Sequence, residues 1–371
     1  MTISGSRTFS RTAVFIGAGM LAAGALAACS SSSSSGGTAG SSASAGSGSS
    51  SSAAAGGAAA SGGASRSVIY VSPVASQPGQ ADIFWAMQQA GKSLGWKVSQ
   101  IDADLSPDKQ VEGIDTAIDE QVSSIASWSL DPNTVAGAYL QARNADIPVV
   151  GVNSPSTDVA TNVMWSENLC VKGGVQTQIA AYLAKLKPGG NIAMISGPPA
   201  ATPPGIVQCQ ENDFTADGLK VVAQTSNSAD STQAANTIAA NLLTAHPNIN
   251  LIWCYNDSTA LGTSAAVISD GKQVASSANP SSGIVIIGSN ADKDALQAIQ
   301  EHRLTATVDP NNIATGYAII YQMEQLIDGK KTVPAITIPS ILIDSSNVAK
   351  ESNARSRNYT LSSFPGLPES S

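Results

Sequence analysis

Between residues 67 and 343, short apolar runs alternate with segments of helical period. Most of these runs are apolar at every position rather than at every second one, the pattern of a strand buried on both faces of a sheet. Strands of that kind separated by helices form a parallel sheet through right-handed crossovers. The clearest case is Leu251-Ile252-Trp253-Cys254, which meets a polar Asn256-Asp257 pair before Ser258-Thr259-Ala260-Leu261-Gly262 restarts as a helix. The carboxyl ends of such strands are where open α/β sheets hold ligands, and the amides that open a helix add a weak positive end. Asn and Asp are also favoured helix caps. Capping and ligand binding are therefore both open for this pair.

The pattern predicts strands over 68–72, 96–101, 124–128 and 147–153, interleaved with helices over 83–94, 107–121 and 131–145. It restarts after Trp165, with strands over 191–197, 220–224, 251–254, 283–290 and 304–309 and helices over 172–185, 211–219, 232–245, 292–301 and 314–327. Residues 335–343 read as extended, and the polar tail over 348–371 reads as loose. Two successive βα arrays predict an α/β protein of two doubly wound Rossmann-like lobes. Ser72, Asn153, Asn256, Asn290 and Asp309 all stand where an apolar run ends, so two facing lobes would bring them to one cleft.

The chain opens differently. Arg7 and Arg11 precede an apolar stretch over 13–28, and Leu26-Ala27-Ala28-Cys29 closes it with small residues before a cysteine. Residues 1–28 read as a secretion signal, too short and too rich in Ala and Gly for a membrane span. Gly17-Ala18-Gly19 lies inside that signal with no strand before it, so it is no dinucleotide fingerprint. Residues 29–66 are almost entirely Ser, Gly and Ala, a flexible tether. The chain carries 19 Lys and Arg against 27 Asp and Glu. Without Arg7 and Arg11 the balance falls from −8 to about −10, which argues against nucleic acid or an anionic membrane face as a partner.

Two resemblances attach to these residues. The segment ending at Cys29 resembles the signal of bacterial lipoproteins, which implies lipidation of Cys29 and a place on the outer face of the cytoplasmic membrane, with contact through the lipid anchor alone. From about 68 to 344 the chain resembles the type I periplasmic binding proteins of the ribose- and galactose-binding branch. The residues that carry this are 147–153 (Ile-Pro-Val-Val-Gly-Val-Asn), 241–247 (Asn-Leu-Leu-Thr-Ala-His-Pro), Asn256-Asp257 with Ala260-Leu261-Gly262, and 286–290 (Ile-Ile-Gly-Ser-Asn).

The second resemblance implies two lobes joined by three crossings. The N-lobe would comprise 67–166 with about 310–337, and the C-lobe 167–309 with about 338–347. It implies capture of a sugar or polyol and delivery to ABC permease subunits, with no cofactor, no metal and no catalysis, by a chain taken as a monomer. The alternative is a sensory module that presents the ligand to a membrane signalling partner. A repressor-type regulator of this fold would need a helix-turn-helix where the signal stands.

Carried over position by position, the resemblance assigns ligand contacts to Asn256, Asn290, Asn153, Ser154, Gln210, Asp309 and Gln77. The family's acid and Arg fall on Asn153 and Ser154, a second Arg on Gln210 and a second acid on Asn290, while two aromatics fall on Gly79 and Gln80. Amides thus replace most charges, which favours a neutral polyhydroxyl ligand, or one with amide edges of its own, over an anion. Trp128, and with it Trp165, would supply the missing stacking face, core packing being the other reading. With these neighbours Asn256 reads as a ligand residue and Asp257 as the helix cap.

Three further cysteines remain, which permits one disulfide in an exported chain. Cys254 lies in an apolar strand, whereas Cys170 and Cys209 fall at loops or helix starts beside the expected cleft, so these two are expected to pair. His246 and His302 stand at helix ends, suited to neither a triad nor a metal site.

Overall fold

The computed structural model describes residues 66–369 apart from 155, 157, 200, 201 and 352. The signal, Cys29 and almost all of the tether lie outside the described residues, and with them the expectations of secretion, lipidation and tethering.

Three βα repeats and two further strands begin the fold: β1 (Ser67–Ser72), α1 (Pro78–Ser93), β2 (Lys97–Asp102), α2 (Pro107–Asp119), β3 (Ser124–Ser127), α3 (Pro132–Asn144), β4 (Val149–Val152) and β5 (Thr161–Trp165) precede α4 (Val175–Leu186). The series repeats with β6 (Asn191–Ser196), α5 (Pro204–Ala216), β7 (Lys220–Ser226), α6 (Thr232–Ala245), β8 (Leu251–Cys254), α7 (Asp257–Ser269), β9 (Val285–Ser289), α8 (Lys293–Gln300) and β10 (Ala306–Asp309). It closes with α9 (Asn312–Ile327), β11 (Ala335–Ile338), β12 (Ile341–Asp344) and α10 (Val348–Glu351).

One sheet runs β2-β1-β3-β4-β5-β11 and the other β7-β6-β8-β9-β10-β12. Every pair is parallel except β10 with β12. The chain passes between sheets after β5, after β10 and between β11 and β12; the part built on the first sheet is termed the N-lobe and the other the C-lobe. In both, strand order reverses between the first strand and the third, the point at which such sheets leave a crevice.

The buried runs explain the layering. Along β8, Ile252 and Cys254 enter one apolar layer, whereas Leu251 and Trp253 enter the other, so the strand is covered on both faces. Tyr70, Met87, Ile319 and Met323 share the corresponding layer of the first sheet with the helices α1 and α9. These two helices meet closely at Gly316, where an added Cβ would stand 2.5 Å from Ala86 Cβ.

Several features differ from the pattern-based expectation, among them the start of α1 at Pro78 rather than at residue 83. The apolar pattern does not mark β5, because its run is short and broken by Asn162. α5 starts at Pro204, a proline at its first helical position, rather than near residue 211. The tail is not loose. Phe364 is 6% exposed in the N-lobe core, Tyr321 meets it edge to face at 5.8 Å, and Arg355 pairs with Asp82 of α1 at 2.7 Å. Since α10 packs beside α8 and β12, the tail runs from the C-lobe to the N-lobe. Its polar composition hides a few well-spaced aromatic anchors.

Candidate functional site

The strand ends converge on one cavity of about 670 Å³. Pro73 and Val74 follow β1, Trp128 follows β3, Trp165 ends β5, Tyr255 and Asn256 follow β8, and Asn290 follows β9; all line it. Trp128 and Trp165 meet at right angles, centroids 4.7 Å apart. Trp165 is held by its indole N–H, which donates to Thr315 Oγ1 at 3.1 Å, and Gln110 Nε2 donates to the Trp128 carbonyl at 2.5 Å.

Of the residues expected to meet a ligand, Gln77, Trp128, Gln210, Asn256 and Asn290 line the cavity. Gln210 is buried and donates from Nε2 to the Gln176 carbonyl at 3.1 Å. The neighbouring Cys209 is bridged to Cys170, Cα atoms 5.9 Å apart, which ties α5 to the loop before α4. Cys254 is a free buried thiol whose pKa burial raises to about 12.

Three expected residues do not line the cavity. Asn153 adopts φ 47° and turns its side chain back into the N-lobe, where Oδ1 accepts from the Trp165 amide at 2.7 Å. The Ser154 hydroxyl is 1% exposed within its own lobe, accepting from the Ser129 amide at 2.6 Å and donating to the Val152 carbonyl at 2.9 Å. Asp309 accepts from the Asn311 amide at 2.7 Å and pairs with Arg357 of the tail at 2.6 Å. Desolvation, partly offset by Arg357, raises its pKa. In each case the strand-end backbone turns, and the side chain serves the turn.

The opening pair exchanges roles. Asn256 is the cap of α7, accepting from the Thr259 amide at 2.9 Å through Oδ1, while its Nδ2 donates to Asp230 at 3.0 Å. Asp257 is already helical and fully buried; it accepts from Thr307 Oγ1 at 2.7 Å and from the Asp292 amide at 2.8 Å. It anchors β10 and the loop after β9 rather than capping its own helix. Gly288 makes room for it, since an added Cβ would stand 2.3 Å from Asp257 Oδ1.

The pattern also passes over three carboxyls. Glu167, Asp230 and Asp292 line the cavity, which among the described residues receives no Lys, Arg or His. Glu167 follows β5, accepts from Ser289 Oγ at 2.7 Å, and has its pKa pushed up to about 7, chiefly by burial. Asp292 is pushed up to about 6 by burial and by neighbouring carboxylates. Asp230 accepts from the Tyr255 hydroxyl as well as from Asn256. Glu167 sits in a short 3-10 turn of the crossing after β5, Asp230 in the loop after β7 and Asp292 at the cap of α8; the available signal is their place just after a strand.

A cleft between two doubly wound lobes, roofed by indoles on one side and lined by hydrogen-bonding groups on the other, defines a class of proteins that hold a small solute between α/β lobes. Within that class, residues 68–331 match the family described as periplasmic binding protein domain, and the chain belongs to it. It is 29% identical over 255 residues to the ribose import binding protein RbsB of Bacillus subtilis, covering 68% of this chain and 79% of that one. Its fold is similar to that of the Caulobacter myo-inositol binding protein, with TM-score 0.66 at 21% identity, covering 78% and 97% of the two chains. A D-allose-bound periplasmic solute binding protein from Actinobacillus succinogenes gives TM-score 0.67 at 17% identity over 77% and 99%.

Proposed function

We propose that this chain captures a small polyhydroxyl solute, a sugar or polyol without negative charge, between its lobes and hands it to the permease of an ABC importer. The observation that carries the reading is the cavity itself. At about 670 Å³ it has the size of a small-solute site, with an apolar indole wall facing a wall of amides and carboxyls. Family membership and the ribose-binding relative support it. A lipid on Cys29 and the Ser/Gly/Ala tether would hold the domain outside the cytoplasmic membrane, free to turn towards its permease. That the cleft binds without catalysing follows the family and its ribose import binding relative, and neither His246 nor His302 lines it.

The test is a thermal-shift screen of the mature chain over pentoses, hexoses, inositols and their acids. A solute held only by the native state raises the melting temperature as its concentration passes Kd. A sugar or polyol that does so, with uronic acids inert, supports the reading. A screen in which only anions stabilise the protein would sink it.

A further inference from the structure

Among the described residues, the polar atoms of the cavity lining that stand buried without a hydrogen-bond partner are both acceptors. They are Glu167 Oε1 and Gln176 Oε1. Gln176 is 3% exposed and its Nε2 is spent on the backbone carbonyl of Glu167, while the other carboxylate oxygen of Glu167 accepts from Ser289, so each side chain is held through its partnered atom. Ser340, whose Oγ pairs with Ser166 Oγ at 2.9 Å, adds a hydroxyl near Glu167 but no charge. Asp292 and Asp230 line the same cavity, and Asp257 stands directly behind Asp292. The half-buried Arg357 is committed to Asp309 and Glu351.

We propose that the solute of this cleft carries a protonated amino group, received by Glu167 and Gln176 on the C-lobe wall. The inference rests on the polyhydroxyl reading above and narrows it to amino-substituted sugars or cyclitols. An ammonium offers three donors and no lone pair, whereas a hydroxyl brings one donor and two lone pairs that would confront carboxylates already short of partners. Opposite charges also attract more strongly in a partly dehydrated cleft than in water. Burial first, and neighbouring carboxylates after it, hold Glu167 and Asp292 above their ordinary values, and a bound ammonium would offset that cost. A metal ion would offset it too. Among the described residues, however, no three Asp, Glu, His or Cys side chains converge closely enough to hold one. The facing indoles suit a cation as well as a sugar ring.

The experiment is titration calorimetry of the mature, disulfide-intact chain at about pH 8 with matched sets. These are glucose, glucosamine and N-acetylglucosamine, then myo-inositol and an amino-inositol, with putrescine as an amine lacking hydroxyls. The expected result is an amine at least tenfold tighter than both its parent and its N-acetyl form. Raising salt from about 0.02 to about 0.5 M should weaken the amine and spare the parent. Glu167→Gln should remove the amine preference; if that variant does not fold, the salt series on the unaltered chain decides. A parent sugar binding as tightly as its amine would overturn the inference and leave the polyhydroxyl reading standing. Putrescine binding as tightly as the amino sugars would overturn the polyhydroxyl reading instead, and a set in which nothing binds would overturn both.

Discussion

On the N-lobe side, β1, β3 and β5 deliver Pro73, Val74, Trp128 and Trp165 to the cleft, with Leu105 and Leu130 beside them. On the C-lobe side, the ends of β8 and β9 and the neighbouring loops deliver Tyr255, Asn256, Asn290, Asp230 and Asp292. The two sheets share one strand order, yet none of the N-lobe lining residues is ionisable, whereas the C-lobe and the crossing after β5 hold every carboxyl. The same scaffold thus supplies shape from one wall and charge from the other, which is why strand order alone says little about ligand chemistry.

The walls also differ in how they are held, and the largest predicted effect tests that difference. The indole wall is packed against its own core. On the opposite wall, Gln210 depends on α5, which the Cys170–Cys209 bridge ties to the loop before α4. Replacing both cysteines by Ser should cost about 4 kcal/mol, the loop-closure value for a bridge spanning 39 residues. Urea unfolding followed by tryptophan fluorescence and by circular dichroism measures it. A loss well below 1 kcal/mol would mean that packing alone fixes that wall.

The next effect separates shape from charge. Trp128→Ala should weaken every polyhydroxyl ligand by roughly tenfold to a hundredfold without changing their ranking, because a ring face is lost and no hydrogen bond is. A changed ranking in competition binding would show that the indole wall also selects.

The scaffold is legible because parallel strands buried on both faces, such as β8 and β9, announce themselves as unbroken apolar runs. β5 escapes because Asn162 interrupts a short run, and the tail escapes because Arg357, Tyr359 and Phe364 find partners remote in sequence, among them Asp309, Asn311 and Tyr321. In the site, strand ends point to Trp128, Asn256 and Asn290 and the family resemblance to Gln77 and Gln210, and all five line the cavity. Asn153 and Asp309, also at strand ends, and Ser154, carried over from the resemblance, do not line it, since a strand-end side chain can serve its turn and only φ and ψ decide which. Asn153 at φ 47° turns inward. Glu167, Asp230 and Asp292 are missed for the converse reason: they stand in the short turn after β5, in the loop after β7 and at the cap of α8, and tertiary contacts rather than an apolar run aim them at the cleft. The residue pattern points to an amide-lined cleft, and carboxyls share it.

Smaller effects are expected from Asn290 and Asn256, two of the amides of the C-lobe wall. Asn290→Gly is the cleaner variant, because φ 111° suits glycine and the change removes only the side chain. It should lower affinity by about 1–2 kcal/mol, the effect of leaving one buried ligand group unpaired. Asn256→Ala should do the same and also cost about 1 kcal/mol of stability through the lost cap on α7. If Asn256→Ala shifts the melting temperature but not the affinity, the residue belongs to the helix alone.

The smallest effect is a pH slope that only the charged wall can produce. Glu167 has an ordinary value of 4.5 and stands near 7 in the fold, and Asp292 moves from 3.8 to about 6, both chiefly through burial. Between each pair of values the folded state binds more protons than the unfolded one, so stability falls as pH rises through that window and is flat above it. Exposed carboxylates such as Asp131 and Asp328 are shifted downward, by hydrogen bonds to the Asn133 amide and to Arg66, and act in the opposite sense only below their ordinary value. Asp257 and Asp309 share the upward direction, with Arg357 as a countercharge to Asp309. The ligand-free protein should therefore melt a few degrees higher near pH 5 than near pH 8, and Glu167→Gln should reduce that difference by removing one contribution. Equal pH slopes in the two proteins would show that Glu167 is already ionised in the empty cleft, and that the contrast between the walls rests on Asp230 and Asp292 alone.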